Sequence, residues 1–293
     1  MIRWGTLLLV TLMLAACGGS GQKNMVENPY AERMKELTRN GVVAMQRERW
    51  LPAQNLFERA LQTAQLSNHP LLIAQAWYNL GTLHLSSGHH EKGEAALLKS
   101  AEIAERHDLK LVALRTQIAL ALIDQKRGVV KWQPESIPSS MPLDMHLSFA
   151  RLAQLQGRYD VSERAYAFVL GKKYSDRSSM LYKVEAHMGL ALLAEQKQDY
   201  ATAMKESKSV LALSKEVGAP REAAHALMLI ARLEKGELAE EDSLEDALAI
   251  YRALEDRRGE KEALAQLVAV AEQRGDTDQV ELLMEQLQKL EKD

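Results

Sequence analysis

The residues able to do chemistry are few and scattered. Cys17 is the only cysteine, which rules out an intrachain disulfide and any Cys-rich zinc or iron–sulfur site and leaves a lone thiol, a nucleophile if exposed. His84, His89 and His90 place three imidazoles close in sequence, but His89 and His90 fall in a polar turn with only Glu91 as a neighbouring carboxylate. A turn accounts for them, and no metal is expected. Asp144 and His146 pair an acid with a base beside a proline-rich stretch, and an enzyme working through them is an alternative reading. Glu240-Glu241-Asp242 could take calcium, but acids ahead of a helix beginning at Ser243 stabilise its N-terminus without any ion. Gly-rich phosphate loops, G-x-S-x-G and H-E-x-x-H are absent, so no catalytic residue and no cofactor is expected.

The start of the chain reads as an address. Arg3 precedes an apolar stretch, Thr6 to Leu14, shorter than the about 20 residues a spanning helix needs. The stretch closes on Leu14-Ala15-Ala16-Cys17, which resembles the bacterial lipobox: a branched residue, two small ones and the cysteine. The resemblance implies that residues 1–16 are a signal peptide and that Cys17 carries lipid. One acyl chain holds weakly, whereas several hold firmly. Gly18 follows the cysteine where Asp commonly signals inner-membrane retention in proteobacterial lipoproteins, so the resemblance implies the outer membrane, facing the periplasm. The alternative is a secretory peptide with an incidental cysteine. Residues 17–29, Gly-rich and polar at first, read as a flexible tether, and nothing after Met25 is apolar for long enough to span a bilayer.

The elements that follow should be helices. Aromatics make up 5% of the chain, and Ala, Leu, Glu, Gln and Lys dominate, which disfavours a sandwich or barrel and gives an all-α expectation. The 37 basic and 40 acidic side chains leave a formal charge of -3, so no nucleic-acid partner is expected.

Self-similarity arranges these helices. Ala76-Trp77-Tyr78-Asn79-Leu80-Gly81 is followed by a Ser-Ser-Gly-His turn and an amphipathic stretch ending near Arg106. The small residue at Gly81 recurs in successive first helices as Gly41, Ala121, Ala150, Ala191, Ala231 and, more loosely, Val268, with spacings of 40, 40, 29, 41, 40 and 37 from Gly41 onward. Second helices carry Ala53-x3-Phe57-x2-Ala60, then Ser162-x3-Tyr166-x2-Val169, Ala203-x3-Ser207-x2-Val210, Ala247-x3-Tyr251-x2-Leu254 and Val280-x3-Met284-x2-Leu287. Over residues 34–293 the chain resembles tetratricopeptide-repeat proteins of a longer, forty-residue kind, the W-x2-L-G of the second unit being the nearest match. The resemblance implies a right-handed superhelical solenoid, because a hairpin cannot bury its own apolar stripe and must stack on neighbours. Hairpins are expected over 30–127 and 143–293.

Between them the period breaks. Pro134, Pro138 and Pro142 forbid helix across 128–142, so the third unit should be a single helix followed by an extended crossing. That crossing is either a linker or a loop whose Trp132, Ile137 and Met141 meet the groove or a partner.

The tetratricopeptide resemblance also implies a ligand groove lined by first helices. Its register selects Tyr78, Asn79 and Thr82, then Arg115, Ile118 and Leu122, then Arg151, Met188, Leu192 and Arg232. An apolar groove rimmed by arginine suits an amphipathic or acidic segment. The expected function is a lipid-anchored, non-catalytic scaffold or assembly factor, pilotin-like or an adaptor, that binds an envelope protein or peptide. Beside the enzyme stands a third reading, a structural lipoprotein self-associating through Trp132 or through the helix Val280 to Leu290. That helix reads either as a polar cap or as a docking surface of Leu283, Leu287 and Leu290.

Overall fold

The computed structural model describes residues 29–292 apart from 48, 175 and 235–237. The signal peptide, Cys17 and all of the tether but Pro29 lie outside the described residues. Within them the chain forms thirteen helices and no strand. It divides into two compact units, one ending at Arg158 and the other beginning at Tyr159.

The first unit holds α1 (Pro29–Gln46), α2 (Trp50–Leu66), α3 (Pro70–Ser86), α4 (His90–Arg106), α5 (Lys110–Lys126) and α6 (Leu143–Leu155). Here α1 pairs with α2 and α3 with α4, each pair packs on the next, and α5 packs on α4 and α6. The first helices also touch, α1 on α3 and α3 on α5. The small-large-small pattern of α2 is buried throughout, at Ala53, Phe57 and Ala60, and the Phe57 ring rests on the bare backbone at Gly41. In the next hairpin two glycines meet. A Cβ at Gly81 would lie 2.7 Å from Leu97 Cγ and 3.1 Å from the Gly93 carbonyl, so α3 and α4 cross closer than any larger residue allows.

No helix occupies 128–142, between α5 and α6. Arg127 makes a two-pronged bond to Glu94 at 2.6 and 3.0 Å, and the extended stretch beyond it is tied to the end of α6. Gln156 Nε2 donates to the Trp132 carbonyl at 2.9 Å, Arg158 donates to that of Pro134 at 2.7 Å, and Ile137 is buried. These bonds are why the units divide after α6 and not within 128–142.

The second unit holds α7 (Tyr159–Leu170), α8 (Arg177–Gln196), α9 (Tyr200–Val217), α10 (Pro220–Leu233), α11 (Leu238–Ala253), α12 (Arg257–Arg274) and α13 (Thr277–Lys292). Sequential pairing continues, α8 with α9, α10 with α11 and α12 with α13. Asp176, Asp199 and Asp256 cap α8, α9 and α12 by accepting from the backbone N–H three residues on. Gly218 and Gly275 end α9 and α12 in the left-handed conformation. Ser162, Tyr166, Val169, Ala203, Ser207, Val210, Ala247 and Tyr251 are all buried, as the second-helix pattern requires, whereas its last member Leu254 is half-buried and lies one residue past the end of α11.

Two expectations need correction. The acidic run 240–242 does not precede a helix at Ser243, because α11 begins at Leu238 and carries Glu240 and Glu241 in its first turn, where negative charge suits it equally. In α13 the pattern Val280-x3-Met284-x2-Leu287 holds at its two ends and fails at its middle position. Met284 is 39% exposed, whereas Leu283 is buried and Val280, Leu287 and Leu290 pack with it against the core of α10 to α12. Leu283, Leu287 and Leu290 are therefore inside the packing and do not form a docking face.

Candidate functional site

Pro29 opens α1 with a fixed φ, Pro70 does the same at the start of α3, and both helices then run long enough to set a face beside that of α5. Between the three lies an open groove of about 480 Å³. Its wall residues recur at the forty-residue period: Glu32, Leu72 and Val112 in one row, Lys35, Gln75 and Arg115 in a second, and the adjacent pairs Thr38 with Tyr78 and Arg39 with Asn79. Equivalent positions on successive helices thus build one surface.

Arg115 is its most constrained charge. One Nη donates to Asp144 Oδ2 at 2.6 Å, with the two side chains 15% and 3% exposed, and the guanidinium lies 6.0 Å from the centre of the Tyr78 ring. Burial pushes the Asp144 carboxyl above its usual range, and Arg115 pulls it part of the way back. Burial likewise lifts the Tyr78 phenol to about 12, so it remains a protonated donor at neutral pH. Thr38 Oγ1 and Arg115 Nε are buried with no hydrogen-bond partner among the described residues.

The sequence-selected residues separate into groups. Tyr78, Asn79 and Arg115 line the groove, and Ile118 and Leu122 join Tyr78 and Arg115 around a much smaller hollow beside Met145 and Ser148. Thr82 is 1% exposed and donates to the Asn79 carbonyl inside the packing. Arg151 is half-buried on α6, near enough to Lys126 to help lower that amine, whose burial is the larger cause. In the second unit Met188 packs against the cluster that holds Val184, Val210 and Ala226, Leu192 is half-buried, and Arg232 grips Glu195 with two bonds of 3.0 Å. Trp132 and Met141 are half-buried and Ile137 is buried. Asp144 and His146 are 2% and 4% exposed, and neither lines the groove.

Sequence reasoning missed the α1 wall. Thr38, Arg39 and Val42 stand forty residues before Tyr78, Asn79 and Thr82, and Lys35 stands eighty before Arg115, so carrying the same register back to α1 would have found all four.

His84 and His89 face each other edge-on at 6.1 Å, and burial followed by His89 lowers the affinity of His84 for a proton. Among the described residues no three His, Cys, Asp or Glu side chains are grouped to hold a metal, and no helix is long and apolar enough to cross a membrane. No protein-family model matches the chain, and no curated protein matches it.

Proposed function

We propose that the chain is a membrane-anchored, non-catalytic interaction scaffold facing the bacterial periplasm, built of tetratricopeptide-like hairpins and docking a segment of another envelope protein in the groove of its first unit. The observation that carries this reading is the periodic wall: a surface assembled from equivalent positions of successive helices is one that an elongated partner can follow from helix to helix. The anchor is proposed from the lipobox-like Leu14-Ala15-Ala16-Cys17 alone. Burial of Asp144 in its bond to Arg115, and of His146, favours the scaffold over an enzyme using those two residues. Packing of Leu283 and its neighbours likewise disfavours self-association through α13.

The test uses the full chain in its native membrane. Cys17→Ser should release the protein from the membrane fraction, and retention would overturn the lipid anchor. Asn79→Trp places a large ring at a half-buried wall position of α3. Envelope proteins captured by the wild type should be lost from this variant while its circular dichroism is unchanged. Capture of the same partners by both baits would show that the groove is not the working surface.

A further inference from the structure

The following rests on the chain being held at a membrane and concerns a second contact with it. Within the second unit successive helices run in opposite directions, so the α7–α8 loop, the α9–α10 turn and the α11–α12 turn share one end. Two contacts tie that end together. Arg177 of α8 donates to the Val217 and Gly218 carbonyls that close α9, and Arg221 of α10 pairs with Asp256, ahead of α12, at 3.0 Å. The other end is tied by Arg232 on Glu195 and by Arg274 on Glu241.

The two ends differ in charge. Segments 171–177 and 214–221 hold Lys172, Lys173, Arg177, Lys215 and Arg221 against Asp176 and Glu216, while the α11–α12 turn, Leu254 to Arg258, is balanced. Asp176 is engaged in capping α8. Lys172, Lys173 and Lys215 are exposed and meet no carboxylate among the described residues. At the opposite end Asp199, Glu240, Asp242, Asp276 and Asp278 gather acid, and the cations beside them, Lys197 and Arg274, are each paired with a carboxylate. The basic end also carries rings. Lys172 Nζ lies 3.9 Å from the centre of the half-buried Phe168 ring, and Lys183 Nζ lies 5.9 Å from that of half-buried Tyr174. Cations seated over aromatic rings suit the boundary between headgroups and acyl chains, which favours a lipid surface over an acidic protein.

We propose that this end of the second unit rests on the anionic phospholipid headgroups of the membrane that holds the anchor, with the acidic end turned away. A tethered chain meets that surface at high effective concentration. Opposite charge at the two ends selects one orientation on it, and each lysine at the surface strengthens the contact about fivefold.

The experiment reconstitutes the full-length protein, extracted from its native membrane, in vesicles of phosphatidylcholine with or without phosphatidylglycerol. Mass spectrometry reads how fast a water-soluble reagent acylates each lysine. Phosphatidylglycerol should slow Lys172, Lys173 and Lys215 severalfold and leave Lys197, at the opposite end, unchanged, and high salt should abolish the difference. In the double variant Lys172→Gln and Lys173→Gln, a change of two exposed side chains, the ratio of docked to free protein read at Lys215 should fall roughly twentyfold. Vesicle-bound protein whose three lysines react alike on both lipids, or whose Lys197 is slowed equally, would overturn the contact and leave the anchor intact. Protein that leaves neutral vesicles but holds to anionic ones with the same lysines shielded would overturn the anchor and retain the contact. Protein found on neither would overturn both.

Discussion

A Cβ at Gly189 would fall inside the Tyr166 ring, and one at Gly259 inside the Tyr251 ring. Both tyrosines are 2% exposed and have no room to swing aside. Gly189→Ala and Gly259→Ala should therefore each destabilise by about 1–3 kcal/mol in urea titrations, although the same change in an open helix would stabilise by about 1 kcal/mol. His225 is a second residue held by its surroundings. Burial, reinforced by Arg221, lowers its pKa from 6.5 to about 4, with Asp256 opposing. The unfolded chain thus binds a proton between pH 6.5 and 4 that the folded chain refuses, so stability is full above about 6.5 and falls as pH drops toward 4. Replacing His225 with Gln should flatten that part of the stability profile, and an unchanged slope would place its origin elsewhere.

Within the elements, Asp256 does two tasks at once. It caps α12 through the Gly259 N–H at 3.1 Å and pairs with Arg221 of α10 at 3.0 Å. Asp256→Ala should cost about 1 kcal/mol for the cap alone and more for the half-buried guanidinium left behind, while Asp256→Asn, which still caps, should lose less. Thermal melts of the two variants would separate the tasks. The elements were legible because small residues such as Gly81 and Ala191, and turns such as Ser-Ser-Gly-His, mark hairpins locally. Gly93, Gly189 and Gly259 were not singled out, since what they accommodate belongs to another helix: only the size of Tyr166 and Tyr251, at the position that Ser207 fills in α9, pointed to the space they need. The central position of the α13 pattern was misplaced for the opposite reason. A helix bearing Leu282, Leu283 and Met284 in a row offers its stripe at more than one angle, and only the core of α10 to α12 decides.

At the scale of the molecule, every strong packing contact joins helices that are next or nearly next in the chain. Stability in such an array is a sum over neighbours. Hydrogen exchange on Gly259→Ala should accordingly quicken in α11 and α12 and in the helices packed on them, while α7 and α8 keep wild-type protection. Uniform loss across the second unit would indicate a single cooperative core. The groove was only half legible, because a repeat motif shows best where its aromatic signature is strongest, at Trp77 and Tyr78, and α1 carries Leu37 and Thr38 in those positions instead. The missing helix after α5 bears on folding fidelity. Hairpins that pair in the same way invite a chain to close on the wrong neighbour, one unit early or late. A stretch that fits only where Gln156 and Arg158 reach its carbonyls works as an index mark, a point from which the first unit can count its helices correctly.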